Sequence, residues 1–351
     1  MAYRVGIVGG TWIAASAPKA PPPYPLKNQI IVSHASCLAL NPRAEVAALC
    51  DLKPELLEDF KKTWGAKWPK ANVYTSYKEM LAKEKLDALT VVTPDNLHAN
   101  ITVDAANAGV RAIFCEKPIA TSLEDADRMI DACLKNGTLL VVGHTRRWAP
   151  LYHKVRDTIR AGSIGQLSSI VATLGGPRAM LFRNGTHMLD AVSFFADSEP
   201  VQVFARLEDG FDHWDRYKGD GGREPANDPG VSGFIIFKNG VRTHYAGMKN
   251  TLATYTVQLS GPNGQINFGL EDRTAELQTA GPGPGDLLRL TLRPDFFQVH
   301  GLVAAYEEMF DILEKGGQSI SSATEGRKVL QIMLGFLKSH QEGGRLVTVP
   351  N

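Results

Sequence analysis

A chain of 351 residues is long for a single hydrophobic core and points to two domains. Its 38 basic and 37 acidic residues nearly cancel, which excludes the electrostatic footprint of a nucleic-acid binder or of a protein held on an anionic membrane, and favours a small-molecule partner. The four cysteines (Cys37, Cys50, Cys115, Cys133) lack metal-ligand and disulfide-framework spacing, and no apolar run reaches the roughly 18 residues of a membrane span, so a cytoplasmic protein with reduced thiols, no metal and no membrane contact is expected.

Arg4 to Val8 is a short β-branched run that meets Gly9, Gly10, Thr11, Trp12, Ile13 and Ala14, where a dinucleotide-binding fold puts its glycine turn. The pattern is incomplete: Ala14 fits the last small position, but Thr11 stands where the second glycine lets backbone approach a pyrophosphate. Thr11 therefore either pushes the phosphates outward or donates its hydroxyl to them. Residues 15 to 31 contain Pro18, Pro21, Pro22, Pro23 and Pro25, which exclude a regular helix, so the helix starts late, with Ser33 capping His34 to Leu40. This insertion is either a surface decoration or a flap beside the ligand, with Asn28 and Gln29 as its candidate contacts.

Ala44 to Cys50 is the second strand and ends on Asp51, which either accepts hydrogen bonds from the adenosine ribose or caps the helix after Pro54. The ribose role favours NAD over NADP, since a carboxylate repels a 2′-phosphate; the long spacing from the glycine turn is accounted for by the insertion. Helices are expected at Leu56 to Lys67 and Ser76 to Lys83. A third core strand lies between Asp87 and Val92, followed by Thr93, Pro94, Asn96, His98 and a helix from Ala99 to Ala108. Val110 to Cys115 is a fourth strand that reaches Glu116, Lys117 and Pro118; Ser122 to Lys135 is a helix and Leu139 to Val142 a fifth strand. Strand and helix alternate at the spacing of βαβ units. A lysine at the carboxyl end of a buried strand sits where open α/β sheets bind ligands, although a lysine in such a loop is most often simply solvated.

The second half reads differently. Tyr152 to Arg160 and His187 to Phe195 are helices, and strands are expected at Leu167 to Thr173, Val201 to Leu207, Gly233 to Phe237, Val241 to Ala246, Thr254 to Leu259 and Gln265 to Phe268. Asn239-Gly240 between two apolar strands is a hairpin signal. Gly219 to Gly230 and Gly281 to Gly285 read as loops, and Val303 to Glu314 and Glu325 to Ser339 as helices.

The succession of glycine turn, Thr93-Pro94 with Asn96 and His98, Glu116-Lys117-Pro118, Gly143-His144 with Arg146 and Arg147, then Gly185-Thr186-His187 with Asp190 resembles the glucose-fructose oxidoreductase, inositol dehydrogenase and rhizopine catabolism (Gfo/Idh/MocA) family over essentially the whole chain. The resemblance implies an α/β protein: an N-terminal Rossmann NAD-binding domain at 1 to 145, and an α/β substrate-binding domain at 146 to 351 with an open, mostly antiparallel sheet. It also implies C-terminal helices returning to the first domain, homo-oligomers formed through that sheet, and oxidation or reduction of a carbon of a sugar, inositol or related ring. It places Gly9, Thr11, Trp12, Ile13, Asp51, Thr93, Pro94, Asn96, His98 and Glu116 at the cofactor, Arg146, Arg147, Arg183 and Asp190 at the substrate, and a Lys117-Pro118 bond that is cis.

Oxidising a secondary alcohol requires an acid or base within reach of its oxygen while hydride leaves the carbon. Lys117 is the family's candidate and His187 the second; the alternative for His187 is a helix-start residue satisfied by backbone. Asp190, one turn on, holds His187, binds a substrate hydroxyl, or pairs with an arginine. One departure stands out: where well-known members carry an aspartate four residues before this histidine, this chain has Arg183. The expectation is a substrate with an anionic group gripped bidentately by Arg183, against an arginine that binds a hydroxyl or points away. Three classes follow: a dehydrogenase or reductase, a redox-assisted glycosidase or lyase with no net change in NAD, and a non-catalytic NAD-dependent sensor.

Overall fold

The computed structural model describes residues 2–18, 33–212, 214, 216–219, 224–270, 272–295 and 300–351. The expected contacts of Asn28 and Gln29, and most of the proline-rich insertion, lie outside them.

The first half runs β1 (Tyr3–Val8), α1 (Trp12–Ala15), α2 (His34–Leu40), β2 (Ala44–Cys50), α3 (Pro54–Trp64), β3 (Asn72–Tyr74), α4 (Tyr77–Lys83), β4 (Ala88–Val91), α5 (His98–Asn107), β5 (Ala112–Cys115), α6 (Leu123–Asn136) and β6 (Leu139–Val142). The six strands pair in parallel in the order β3-β2-β1-β4-β5-β6. That is the order of a Rossmann sheet, whose ligand crevice opens at the carboxyl ends of the strands beside the β1/β4 switch point. β4 and β5 are buried along their whole length, as expected of parallel strands covered on both faces. β3 was not foreseen: three residues at a sheet edge are too few to show a period.

The second half continues with α7 (Pro150–Arg160), β7 (Ser169–Gly175), α8 (Thr186–Ala196), β8 (Pro200–Leu207), β9 (Val231–Phe237), β10 (Arg242–Met248), β11 (Tyr255–Gly261), β12 (Gly264–Gly269), β13 (Ala275–Ala280), β14 (Leu287–Leu292), α9 (Gly301–Lys315), α10 (Ala323–Gln341) and β15 (Val347–Thr348). Nine strands form one sheet in the order β14-β13-β12-β11-β7-β10-β9-β8-β15, antiparallel except where β7 meets β10. β9 and β10 form the hairpin that Asn239-Gly240 signals, with Gly240 at φ 89°. β13, β14 and β15 were missed. β14 exposes Leu287, Leu288 and Leu290 along an edge, so its apolar residues carry no inside-outside alternation, and β15 has only two residues.

The chain divides into two compact units: Met1–Ala120 with Glu124–Thr145 and Val299–Ala323, and Thr121–Leu123 with Arg146–Gln298 and Thr324–Asn351. Of the two C-terminal helices expected to return to the first domain, α9 lies in the first unit and α10 in the second. α9 buries Leu302, Ala305, Tyr306, Met309 and Phe310, a stripe at helical spacing, and stacks Phe310 on Tyr3 of β1 at 5.0 Å. α10 instead serves the second sheet. Ser339 Oγ accepts the Ala205 amide at 2.9 Å and His340 Nδ1 the Leu207 amide at 3.2 Å, satisfying donors along β8.

Candidate functional site

The glycine turn follows β1. Gly9 takes φ 102°, and a Cβ there would come within 2.4 Å of the Val92 carbonyl oxygen, so only glycine lets the end of β1 lie this close to the segment after β4. The Gly10 amide donates to Asp51 Oδ2 at 2.7 Å, and the Lys53 amide to Oδ1 at 2.9 Å. Asp51 thus ties the glycine turn to the end of β2 and serves the following turn as well; its remaining lone pairs leave room for ribose hydroxyls. Thr11 is the N-cap of α1 but its side chain makes no capping bond, and Trp12 is 58 % exposed. α2 starts where expected, with a capping box: the Ser36 amide donates to Ser33 Oγ at 3.1 Å and the Ser33 amide to Ser36 Oγ at 3.0 Å.

After β4 come Thr93, whose buried Oγ1 has no hydrogen-bond partner among the described residues, and exposed Pro94 and Asn96. Together with Gly9 and Asp51 these residues fit a dinucleotide: a turn without Cβ, a carboxylate at the end of β2 and an orphan hydroxyl at the end of β4. Thr11 and the single turn of α1 are departures from the usual cradle. His98, expected at the cofactor, is elsewhere. It is 0 % exposed, and its Nδ1 and Nε2 stand 3.0 and 3.1 Å from the carbonyl oxygens of Pro118 and Thr93, so it is a clamp between two backbone segments, not a surface contact.

Lys117 follows β5, and its bond to Pro118 is cis. Beside it, Glu116 accepts from His34 Nε2 at 3.0 Å and from the Lys117 amide at 3.3 Å. His34 Nδ1 is 2.8 Å from the Tyr306 hydroxyl, itself 2.9 Å from Thr90 Oγ1, and His34, Tyr306 and Thr90 are all 0 % exposed. Burial alone would push the Glu116 carboxyl up, but the hydrogen bond and charge of His34, with the charge of Lys117, bring it down to about 2. Glu116 is therefore an anion held beside Lys117 by a chain reaching from α2 to α9. Sequence reasoning missed His34 and Tyr306 because each sits on an apolar helix face; their polarity there was the available signal.

In the second unit, His187 lies on the first turn of α8, directly after a π-helical turn, Leu181–Gly185, that carries Arg183. Asp228, fully buried, anchors that turn by accepting the Phe182 and Arg183 amides at 3.1 and 3.0 Å. The guanidinium of Arg146 lies 5.0 Å over the ring of Tyr255, whose hydroxyl donates to the Asn184 carbonyl at 2.9 Å. Arg178 was not foreseen: burial, then the charge of Arg183, lower its pKa, which marks two guanidinium groups near each other.

Arg147 and Asp190, both expected at the substrate, are committed to one another. Arg147 Nε donates to Asp190 Oδ1 at 2.8 Å and Nη2 to Glu325 at 2.9 Å, with the side chains of Arg147 and Asp190 only 3 % and 1 % exposed. Lys328 bridges Glu325 and Glu199 at 3.0 and 2.9 Å. Burial would lower the pKa of Arg147; the charges of Asp190 and Glu325 raise it instead. The structure contains the arginine pair weighed for Asp190, as a buried carboxylate needs a buried cation. Among the described residues no cluster of His, Cys, Asp and Glu suits a metal ion, and no helix is long and apolar enough to cross a membrane.

Residues 26–144 match the family model GFO_IDH_MocA, described as an oxidoreductase family with an NAD-binding Rossmann fold; the match begins after β1 and its turn, which the proline-rich stretch separates from the rest. D-apiose dehydrogenase of Paraburkholderia graminis is 37% identical over 122 residues, 35% of this chain and 31% of that one. Inositol 2-dehydrogenase of Rhizobium meliloti is 32% identical over 187 residues, 49% of this chain and 53% of that one. The chain thus spans about a third to a half of the length of these curated relatives. The crystal structure of aldose-aldose oxidoreductase from Caulobacter crescentus, complexed with glycerol, shares the fold with a TM-score of 0.78 at 20% identity, over 99% of this chain and 100% of that one. Over residues 26–144 the chain thus matches the NAD-binding Rossmann domain of the Gfo/Idh/MocA oxidoreductase family.

Proposed function

We propose that the protein is an NAD(H)-dependent oxidoreductase acting on a secondary hydroxyl or ketone of a sugar, inositol or related ring. The observation that carries this reading is the gathering, within one unit, of the Gly9 turn, Asp51, Thr93 and Lys117 at the carboxyl ends of β1, β2, β4 and β5. Gly9, Thr11, Trp12, Ile13, Asp51, Thr93, Pro94, Asn96 and Glu116 would hold NAD, which when bound supplies the hydride acceptor or donor. Lys117 takes the hydroxyl proton during oxidation or returns it during reduction, and His187 is assigned as the second acid/base group. Glu116 contributes a fixed negative charge beside Lys117, kept in place by His34.

Arg183 and Arg146 are assigned to the substrate, and Arg147 with Asp190 forms a buried ion pair in the same unit. The replacement of an expected aspartate by Arg183, with Arg178 nearby, favours a substrate with a carboxylate, such as a uronate. Four free, buried cysteines suit a reducing compartment, and the nine-stranded sheet is the surface we assign to homo-oligomer contacts. The test is net NADH formation on a panel of neutral and carboxylated sugars and inositols. Stoichiometric NADH supports the reading. Substrate consumed with no net NADH would replace it by redox-assisted elimination or glycoside cleavage, and ligand binding without turnover would point to a sensor.

A further inference from the structure

His98 has an unusual set of partners. Both ring nitrogens face carbonyl oxygens, Pro118 O at 3.0 Å and Thr93 O at 3.1 Å, and the ring is completely buried. A carbonyl oxygen only accepts. In a neutral imidazole one nitrogen is itself an acceptor, so one of these two contacts would oppose two lone pairs at hydrogen-bond distance in a dry interior. Only the imidazolium, with a proton on each nitrogen, makes both bonds.

The surroundings support that state. Burial by itself would strip the proton. The Cys115 sulfur on β5, Asp95 in the turn before α5 and the Pro118 carbonyl outweigh it and push the pKa up to about 10. Asp95 is itself buried. The charged groups at the far end of α5 already answer one another: Asp104 accepts from the Tyr77 hydroxyl at 2.8 Å and lies 3.6 Å from Lys78. Of the two carbonyls that His98 holds, one belongs to Pro118, which follows Lys117, and the other to Thr93, in the segment after β4.

We propose that His98 is a permanently protonated imidazolium, a fixed buried cation beneath the turn that carries Lys117, and that it both positions this turn and weakens the hold of the Lys117 amine on its proton. His98 is then a positioning residue, opposite in sign to Glu116. Glu116 takes the Lys117 amide and His98 the Pro118 carbonyl, so the two hold the backbone on either side of the Lys117 side chain with charges of opposite sign that do not change across the neutral range. The importance of this arrangement for turnover rests on the reading of Lys117 as the acid/base; the charge of His98 does not.

The experiment needs no substrate. With histidine labelled with nitrogen-15, the wild-type chain should show His98, assigned by its loss in His98→Gln, with the nitrogen shifts of an imidazolium from pH 6 to 9. A ring with one protonated and one bare nitrogen at pH 7.5 would overturn the proposal. With lysine labelled with carbon-13 at Cε, and Lys117 assigned through Lys117→Arg, the Lys117 titration should move to higher pH in His98→Gln by about one unit, the size of effect a nearby like charge produces. No movement would refute the coupling. Should His98→Gln fail to fold, Asp95→Asn takes its place: loss of that counter-charge should bring the His98 titration down, and an unmoved imidazolium signal would count against the charge balance argued here. A Lys117→Ala enzyme that kept full activity would defeat the functional reading while leaving the His98 measurements standing.

Discussion

The two units bury charge in different ways. In the second, Arg147 meets Asp190 and Glu325, and Lys328 meets Glu325 and Glu199, so these charges are spent on side chains of opposite sign, while the buried Asp228 accepts backbone amides. In the first, Glu116 is held by a histidine, a tyrosine and a threonine in series, and His98 by two backbone carbonyls. A network of guanidinium and carboxylate is insensitive to pH near neutrality and fixes a shape. An arrangement built on histidine, hydroxyl and carbonyl holds the backbone around a lysine, with Glu116 taking the Lys117 amide and His98 facing the Pro118 carbonyl.

The contrast can be broken most forcefully at Arg147. Arg147→Ala leaves Asp190 buried without its cation and should lower unfolding free energy by about 3–5 kcal/mol in urea titrations. A loss near zero would contradict a buried ion pair here. The second effect is a pH signature of the first unit. Folded His98 holds its proton more tightly than unfolded His98, so its contribution is complete below the ordinary value of 6.5 and is lost as pH rises through about 10. Glu116 runs the other way: its contribution is complete above the ordinary value of 4.5 and is lost as pH falls through about 2. The stability difference between wild type and His98→Gln should therefore narrow between pH 6.5 and 10, as followed by melting temperature; a constant difference would argue against a charged His98. The smallest expected effect belongs to Arg183. Arg183→Ala should reduce kcat/KM for a carboxylated substrate about ten- to a hundredfold, the worth of one charge-assisted contact, and spare the matched neutral one. Equal losses on both would remove the anionic-substrate reading.

Much of the first unit was legible because parallel strands announce themselves as short apolar runs separated by helical patterns. β2 and β6 fall on the expected residues, and the late start of α2 after Ser33 follows from the prolines before it and the capping chemistry of the serine. The second unit was legible to β12 and then failed. β14 lies at an edge with its leucines exposed, so the inward-outward alternation that reveals a strand is absent. Within the site, Lys117 and the cis bond after it could be anticipated from the Glu-Lys-Pro run and its resemblance to known relatives. The partners of Glu116 could not, since Tyr306 is 190 residues downstream of it and meets His34 only through the packing of α9 on α2. His98 was misplaced for a related reason: a histidine one turn after Thr93-Pro94 reads as a ligand contact, and only the fold reveals that its ring turns inward to two carbonyls.

Single-turnover NADH formation by Lys117→Met, compared with wild type on the best substrate of the panel and with NAD affinity measured alongside, tests the central claim most directly. NAD binding should stay close to wild type and the chemical step should slow by about a hundred- to ten-thousandfold, the usual contribution of a general acid/base. An unchanged rate with intact NAD binding would contradict the claim.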